Sequence, residues 1–162
     1  MPGDRTDRTL QRALVVLTLV GIGIAGYLTY VHYKGLSPIC AVGHGCETVQ
    51  ASRYARVGGV PVPLIGLIGY VAILASLFVR GELARLGTAA MAIGGFAFSA
   101  YLTSLELWKI HAICQWCVGS AIVMTALAVL STIRALRAPG EREAGEAPDP
   151  GTAVGDPEGE PA

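Results

Sequence analysis

Four cysteines carry the chemistry open to this chain, and they fall into two close pairs, Cys40 with Cys46 and Cys114 with Cys117. Cys114-Gln115-Trp116-Cys117 is a C-x-x-C motif. On a helix this spacing puts both sulfurs on one face, close enough to join, and a first-turn position lets the helix dipole favour the thiolate. Lys109 and His111 add positive character just upstream. A pair so placed is readily oxidised and readily attacked. The competing readings are half of a zinc site and a passive disulfide. Zinc is disfavoured by the other pair, whose C-x5-C spacing is looser than the usual two to four intervening residues.

That other pair, Cys40-Ala-Val-Gly-His-Gly-Cys46, contains Gly43 and Gly45. Glycines allow a tight or mobile backbone, so the segment could close a small ring and also carry one sulfur to another site. Thiol-disulfide exchange needs such reach, because the attacking thiolate must pass through a mixed disulfide. A loop pair beside a helix-end pair suggests a relay in which electrons enter at the loop, cross to the C-x-x-C and leave into something in the bilayer. On spacing alone, a loop disulfide that merely staples a turn stays open as the alternative.

The elements that must hold these pairs follow from composition and charge. The 162 residues are 52% hydrophobic and 15% charged, with a formal net charge of zero. That excludes a nucleic-acid binder acting by phosphate neutralisation, and it excludes disorder through most of the chain. Residues 13–31, 57–79 and 86–105 carry no charge, and residues 110–133 contain no Asp, Glu, Lys or Arg and only His111 as a histidine. Each block reaches about 30 Å as a helix, the thickness of a hydrocarbon layer, and none shows the alternation a membrane strand requires. The expected fold is an all-α membrane protein, a four-transmembrane-helix bundle with helices at about 13–33, 57–79, 85–106 and 111–135. Around it lie an N-terminal segment 1–12, an outer-face loop and cap segment at about 34–56, and an acidic Pro/Gly-rich tail 138–162. The tail, without periodicity, is expected to be disordered. The first block is longer than a secretory signal core and no small-x-small cleavage site follows it, so it is expected to be retained.

Orientation follows from Lys and Arg. With the N-terminus inside, Arg5, Arg8, Arg12, Arg80, Arg85, Arg134, Arg137 and Arg142 lie inside, against Lys34, Arg53, Arg56 and Lys109 outside. This bias gives N-in, C-in. All four cysteines then fall on the outer face or at its membrane edge, the oxidising side of a bacterial inner membrane or of an equivalent lumen-facing membrane.

The order of these features resembles the vitamin K epoxide reductase family in its bacterial branch. The resemblance rests on the C-x5-C after the first membrane helix, then Cys46-Glu-Thr-Val-Gln-Ala-Ser52, Gly59-Val-Pro61 with Gly66 and Tyr70 at the second helix, and the C-x-x-C opening the fourth; it spans roughly residues 14–137. DsbB-type oxidases also have four helices and two pairs, but with the pairs in reverse order. The resemblance implies a quinone-linked thiol-disulfide oxidoreductase that supports disulfide formation in exported proteins. It implies disulfides Cys40–Cys46 and Cys114–Cys117, with Cys117 meeting the quinone, menaquinone or ubiquinone, and Cys114 exchanging with the loop pair. It further implies a separate thioredoxin-like, DsbA-type partner, since no such domain follows the helices here. Ala121 stands where the animal enzymes carry a Tyr implicated in vitamin K contact, which favours a plain quinone over an epoxide. No metal is expected, and a bundle of this size closes as a monomer. The alternatives are a non-enzymatic bundle with structural disulfides, and a quinone or vitamin K epoxide reductase with a different thiol donor.

Other residues are secondary. Ser52, on a short amphipathic cap, is expected to support the site or cap a helix. Tyr70 and Trp116, with Trp108 and Tyr101, could border a quinone or anchor the interface. His111, and less so His44, could take a proton as quinone becomes quinol. Glu106 and Lys109 read as a solvated pair at a helix end. Gly21, Gly23, Gly26, Gly94 and Gly95 read as close-packing positions between helices.

Overall fold

The computed structural model describes residues 2–40, 45–79 and 81–145. Four long helices form a ring: α1 (Pro2–Lys34), α3 (Val62–Phe78), α4 (Glu82–Leu105) and α5 (Gln115–Gly145). α1 packs on α3 and α5, and α4 packs on the same two helices from the other side. A short helix α2 (Gly45–Ala51), a 3-10 turn (Arg53–Ala55) and a hairpin of β1 (Arg56–Val57) and β2 (Val60–Pro61) link α1 to α3. Arg5–Lys34, Glu82–Ile110 and Gln115–Arg137 are long and apolar enough to cross a bilayer, while Val62–Phe78 is a shorter apolar helix.

Three boundaries differ from the sequence expectation, each for a local reason. Residues 57–61 are hairpin rather than helix. Gly58 and Gly59 take φ +58° and +86°, the two left-handed positions of a tight hairpin turn, and Arg56 pairs with Pro61 across it. Pro61 then stands before the first turn of α3 with Pro63 inside it, where a missing N–H costs nothing. The segment 1–12 is not a separate arm, because α1 is continuous from Pro2. The helix of α5 likewise continues to Gly145, so the part of the expected tail up to residue 145 is helical; residues 146–162 lie outside the described residues.

The core is built from Leu14, Tyr70, Ile73, Leu77, Ala92, Met124 and Leu127, all at most 6% exposed. Polar groups within it are spent on partners. The Thr18 hydroxyl donates to the Leu14 carbonyl at 2.7 Å, and the Ser76 and Thr88 hydroxyls meet at 2.8 Å between α3 and α4. Among the described residues no buried side-chain polar atom lacks a partner. Around the outside, Val16, Leu19, Ile68, Val71, Ile93, Phe96, Ile122 and Val129 are exposed, an apolar belt suited to lipid rather than water.

One end of the bundle is tied by charge. Asp7 accepts from Arg134 at 3.1 Å and lies 3.5 Å from Arg85. Gln11 accepts from Arg134 at 3.3 Å and donates to the Leu77 carbonyl at 3.3 Å. These contacts join all four long helices at the end opposite the cysteines. Of the glycines read as packing positions, Gly21 and Gly95 are so used, the first against the Tyr70 ring and the second against Met124, while Gly23, Gly26 and Gly94 have open space beside them. A side chain at Gly21 would land on the Tyr70 ring. Gly21→Val should therefore destabilise the bundle by about 1–3 kcal/mol, as overpacking does, and Gly23→Val by much less. Thermal unfolding of the two variants side by side in detergent checks this.

Candidate functional site

The site begins where α4 ends. Glu106–Ile110 forms a π turn, a wider winding that re-aims the side chains it carries. The Glu106 carbonyl accepts from the His111 N–H and from the Ala112 N–H, the latter at 3.3 Å. His111 sits at φ +53° in the left-handed region, which lets the chain reverse. Residues 111–114 are thus a turn rather than the start of the last helix. α5 starts one residue after Cys114, whose carbonyl accepts the first helical bond from Val118 at 3.0 Å. Cys114 is therefore the N-cap and Cys117 the third residue of the first turn. The Cys114 sulfur accepts from the Trp116 and Cys117 N–H groups, as an N-cap side chain does.

Across this turn lies the residue that sequence reasoning misplaced. Glu106 is 4% exposed, not solvated, and it does not pair with the exposed Lys109. Its Oε2 accepts the Cys114 N–H at 3.1 Å, and its carboxylate also hydrogen-bonds the Cys117 thiol. The signal was present in the sequence. Met91, Gly95, Phe98 and Leu102 line the interior of the bundle, and continuing their three-to-four spacing places position 106 inward. A charge at the end of an apolar block was read as the exit from the bundle when it was still inside.

Cys114 and Cys117 are free thiols in this structure, so the disulfide expected between them is not formed. The Cys114 thiol lies in the turn before α5. A hydrogen bond from the Cys117 thiol, aided by the two backbone N–H groups, brings it down to about 7, against the opposing effects of burial and the Glu106 charge. A thiol so tuned is a substantial fraction thiolate at neutral pH.

The loop pair is held over this turn by a backbone clamp. The Ile39 N–H donates to the Tyr27 hydroxyl at 3.0 Å, and the Trp116 indole donates to the Ile39 carbonyl at 2.9 Å. The two rings stack with centroids 4.9 Å apart. This fixes the residue before Cys40. Cys40 is disulfide-bonded to Cys46, with Cα atoms 6.2 Å apart. Gly45 opens α2, and a side chain there would collide with the Ile113 carbonyl; only glycine lets α2 rest on the backbone beside Cys114. Cys46 (1% exposed) and Cys114 (0%) are consequently buried in one cluster with Val49, flanked by Cys40 and Cys117.

Below the cluster is an apolar cavity of about 380 Å³ walled by the four long helices and the cap. Cys117, Glu106, Tyr70, Ser120 and Ser52 line it. The Tyr70 hydroxyl meets Ser120 Oγ at 2.8 Å and donates to the Ser120 carbonyl at 3.0 Å. Ser52 reaches the cavity, but its hydroxyl is spent on the Val49 carbonyl at 2.7 Å. The structure moves two expected site residues elsewhere. Trp116 packs on the loop and does not line the cavity, and His111 is an exposed turn residue. Trp108 and Tyr101 are also exposed, and His44 lies outside the described residues. Among the described residues no group of three or more His, Cys, Asp or Glu is arranged to hold a metal.

Two cysteine pairs gathered at one end of an apolar four-helix bundle, above an apolar cavity reached by one of the sulfurs, make a thiol-based redox site. The model of the vitamin K epoxide reductase family matches residues 12–132. The chain belongs to that family. It is also similar to the thiol-disulfide oxidoreductase LTO1 of Arabidopsis thaliana, with 32% identity over 119 residues, covering 65% of this chain and 31% of that one. The chain thus spans about a third of the length of that relative.

The thiolate of Cys114 should appear through about pH 7 in the reduced protein. Ultraviolet thiolate absorbance, read as the difference from Cys114→Ala, measures it without needing access to the sulfur. Cys117→Ala removes the largest cause of the shift, and should move the midpoint up toward the ordinary thiol value near 8.5.

Proposed function

We propose that this protein is a membrane thiol-disulfide oxidoreductase that passes electrons from a thioredoxin-like, DsbA-type partner to a membrane quinone. The observation that carries the reading is the burial of Cys46 and Cys114 in one cluster, with Cys117 opening onto the apolar cavity. Cys40 is the more exposed sulfur of the loop pair, so the partner's thiolate attacks there and releases Cys46 as a thiolate. Cys46 then attacks Cys114 of the Cys114–Cys117 disulfide. The partner's second thiolate resolves its mixed disulfide with Cys40, leaving the partner oxidised, and the freed Cys40 thiolate then closes on Cys46 and leaves Cys114 and Cys117 reduced. The electron pair departs from Cys117, the cysteine that lines the cavity.

A cavity of about 380 Å³ lies within the range of small-molecule sites, and its apolar walls suit a flat, lipid-soluble ring. A quinone held there would accept two electrons and two protons. Tyr70 and Ser120 supply hydroxyls on its wall. In this reading all four long helices span. α3, 17 residues long, reaches about 26 Å and needs only modest thinning of the bilayer around it. The cysteines face the oxidising side of a bacterial inner membrane and the Asp7 network faces the cytoplasm, with the Lys and Arg bias as support. The protein acts as a monomer.

The test follows the four cysteines in isolated membranes by alkylation and gel shift, after mild reduction and then addition of menaquinone or ubiquinone. Quinone should restore both disulfides in the parent protein. Cys117→Ala should abolish that recovery, and Cys46→Ala should leave the helix pair deaf to a reduced thioredoxin-like donor. Disulfides that resist mild reduction, or re-form equally without quinone, would identify them as structural staples and end the enzymatic reading.

A further inference from the structure

We propose that Glu106 is the internal proton acceptor for Cys117: as the Cys114–Cys117 disulfide forms, the Cys117 proton moves onto the Glu106 carboxylate. The proposal deepens the reading above by adding a catalytic group to the same thiol pair.

The geometry is specific. Glu106 is one of only four buried polar or charged side chains among the described residues, and the one that carries a carboxyl. It is placed by a π turn, held on one oxygen by the Cys114 N–H at 3.1 Å, and hydrogen-bonded to the thiol of Cys117. The groups facing it are Cys114 and Cys117 from α5, with Tyr54 and Tyr70 on the wall of the shared cavity. Lys109 and His111, on its own segment, are exposed. Among the described residues no cation therefore balances the carboxylate within the site. While Cys117 is a thiol, its one S–H is shared between the carboxylate and the Cys114 sulfur. When Cys117 enters a disulfide that donor disappears, and a buried carboxylate left without it carries a large desolvation cost. Taking up the departing proton removes the charge at the moment its partner is lost.

The step balances. The S–H bond of Cys117 breaks and its proton goes to Glu106, the S–S bond to Cys114 forms, and two electrons leave from Cys117 to the quinone acceptor. Glu106 borders the same cavity as Cys117, so it then returns the proton toward the reduced acceptor. The second proton comes from the Cys114 thiol or, where Cys114 is already thiolate, from water at the outer face.

Infrared difference spectroscopy on the full chain in lipid nanodiscs tests this without quinone, comparing protein reduced with dithiothreitol against protein oxidised with diamide. Oxidation should produce the C=O band of a protonated carboxyl. The band should move on [13C]glutamate labelling, vanish in Glu106→Gln and persist at a shifted frequency in Glu106→Asp. Labelling the parent protein keeps the test decisive even if a variant fails to fold, since a spectrum with no glutamate-derived band overturns the proposal, as does a band that survives Glu106→Gln. With menadione as oxidant, Glu106→Gln should slow disulfide formation about 100-fold at neutral pH, the scale of a lost general base, and Glu106→Asp should recover most of it. If menadione fails to oxidise the parent while diamide still yields the glutamate band, the quinone reading falls and the role of Glu106 stands.

Discussion

The hydrogen bond from the Cys114 N–H to Glu106 fixes where the last helix begins, and the rest of the site depends on that start. A helix N-terminus exposes backbone N–H groups that need acceptors. Here one acceptor is a carboxylate from the preceding helix and another is the Cys114 sulfur itself. The two together lock the C-x-x-C into the first turn, one sulfur at the cap and the other facing the cavity. Moving the helix start by one residue would turn Cys117 roughly 100° about the axis, away from both Glu106 and the cavity.

The bundle divides labour between its ends. At one end Asp7, Gln11, Arg85 and Arg134 join all four long helices through charged and amide groups. At the other, hydrogen bonds from Glu106, Tyr27 and Trp116 converge on the segments that carry the cysteines. Between them the packing is apolar, with hydroxyls spent on their own helices or on each other. A far end tied across all four helices leaves the helices a fixed frame for a site in which sulfurs must approach one another.

Much of this was legible in the sequence because it depends on residue type and order. Uninterrupted apolar blocks gave the long helices, and the two cysteine spacings marked the segments that the fold gathers at one end. The errors share a physical origin. The 57–79 block reads as one helix by charge alone, yet the left-handed pair Gly58-Gly59 and the prolines at 61 and 63 turn its first residues into a hairpin. Glu106 was assigned to solvent because a charge ends an apolar run, whereas the π turn keeps it inside. Trp116 was read as bordering a quinone or anchoring the interface, whereas its indole N–H goes to the Ile39 carbonyl and it does not line the cavity. Turn chemistry and the partner of a single polar atom decide such cases, and neither is carried by hydropathy.

The Trp116 clamp has a mechanical consequence. Trp116 lies between the two cysteines of the helix pair, and its indole grips the backbone one residue before Cys40. The two redox centres therefore share a joint at this hydrogen bond. The grip is worth about one hydrogen bond, ~1 kcal/mol net. That is small beside the S–S bonds on either side of it, so the registry of the loop over the helix pair rests on a contact that one substitution at Trp116 would remove.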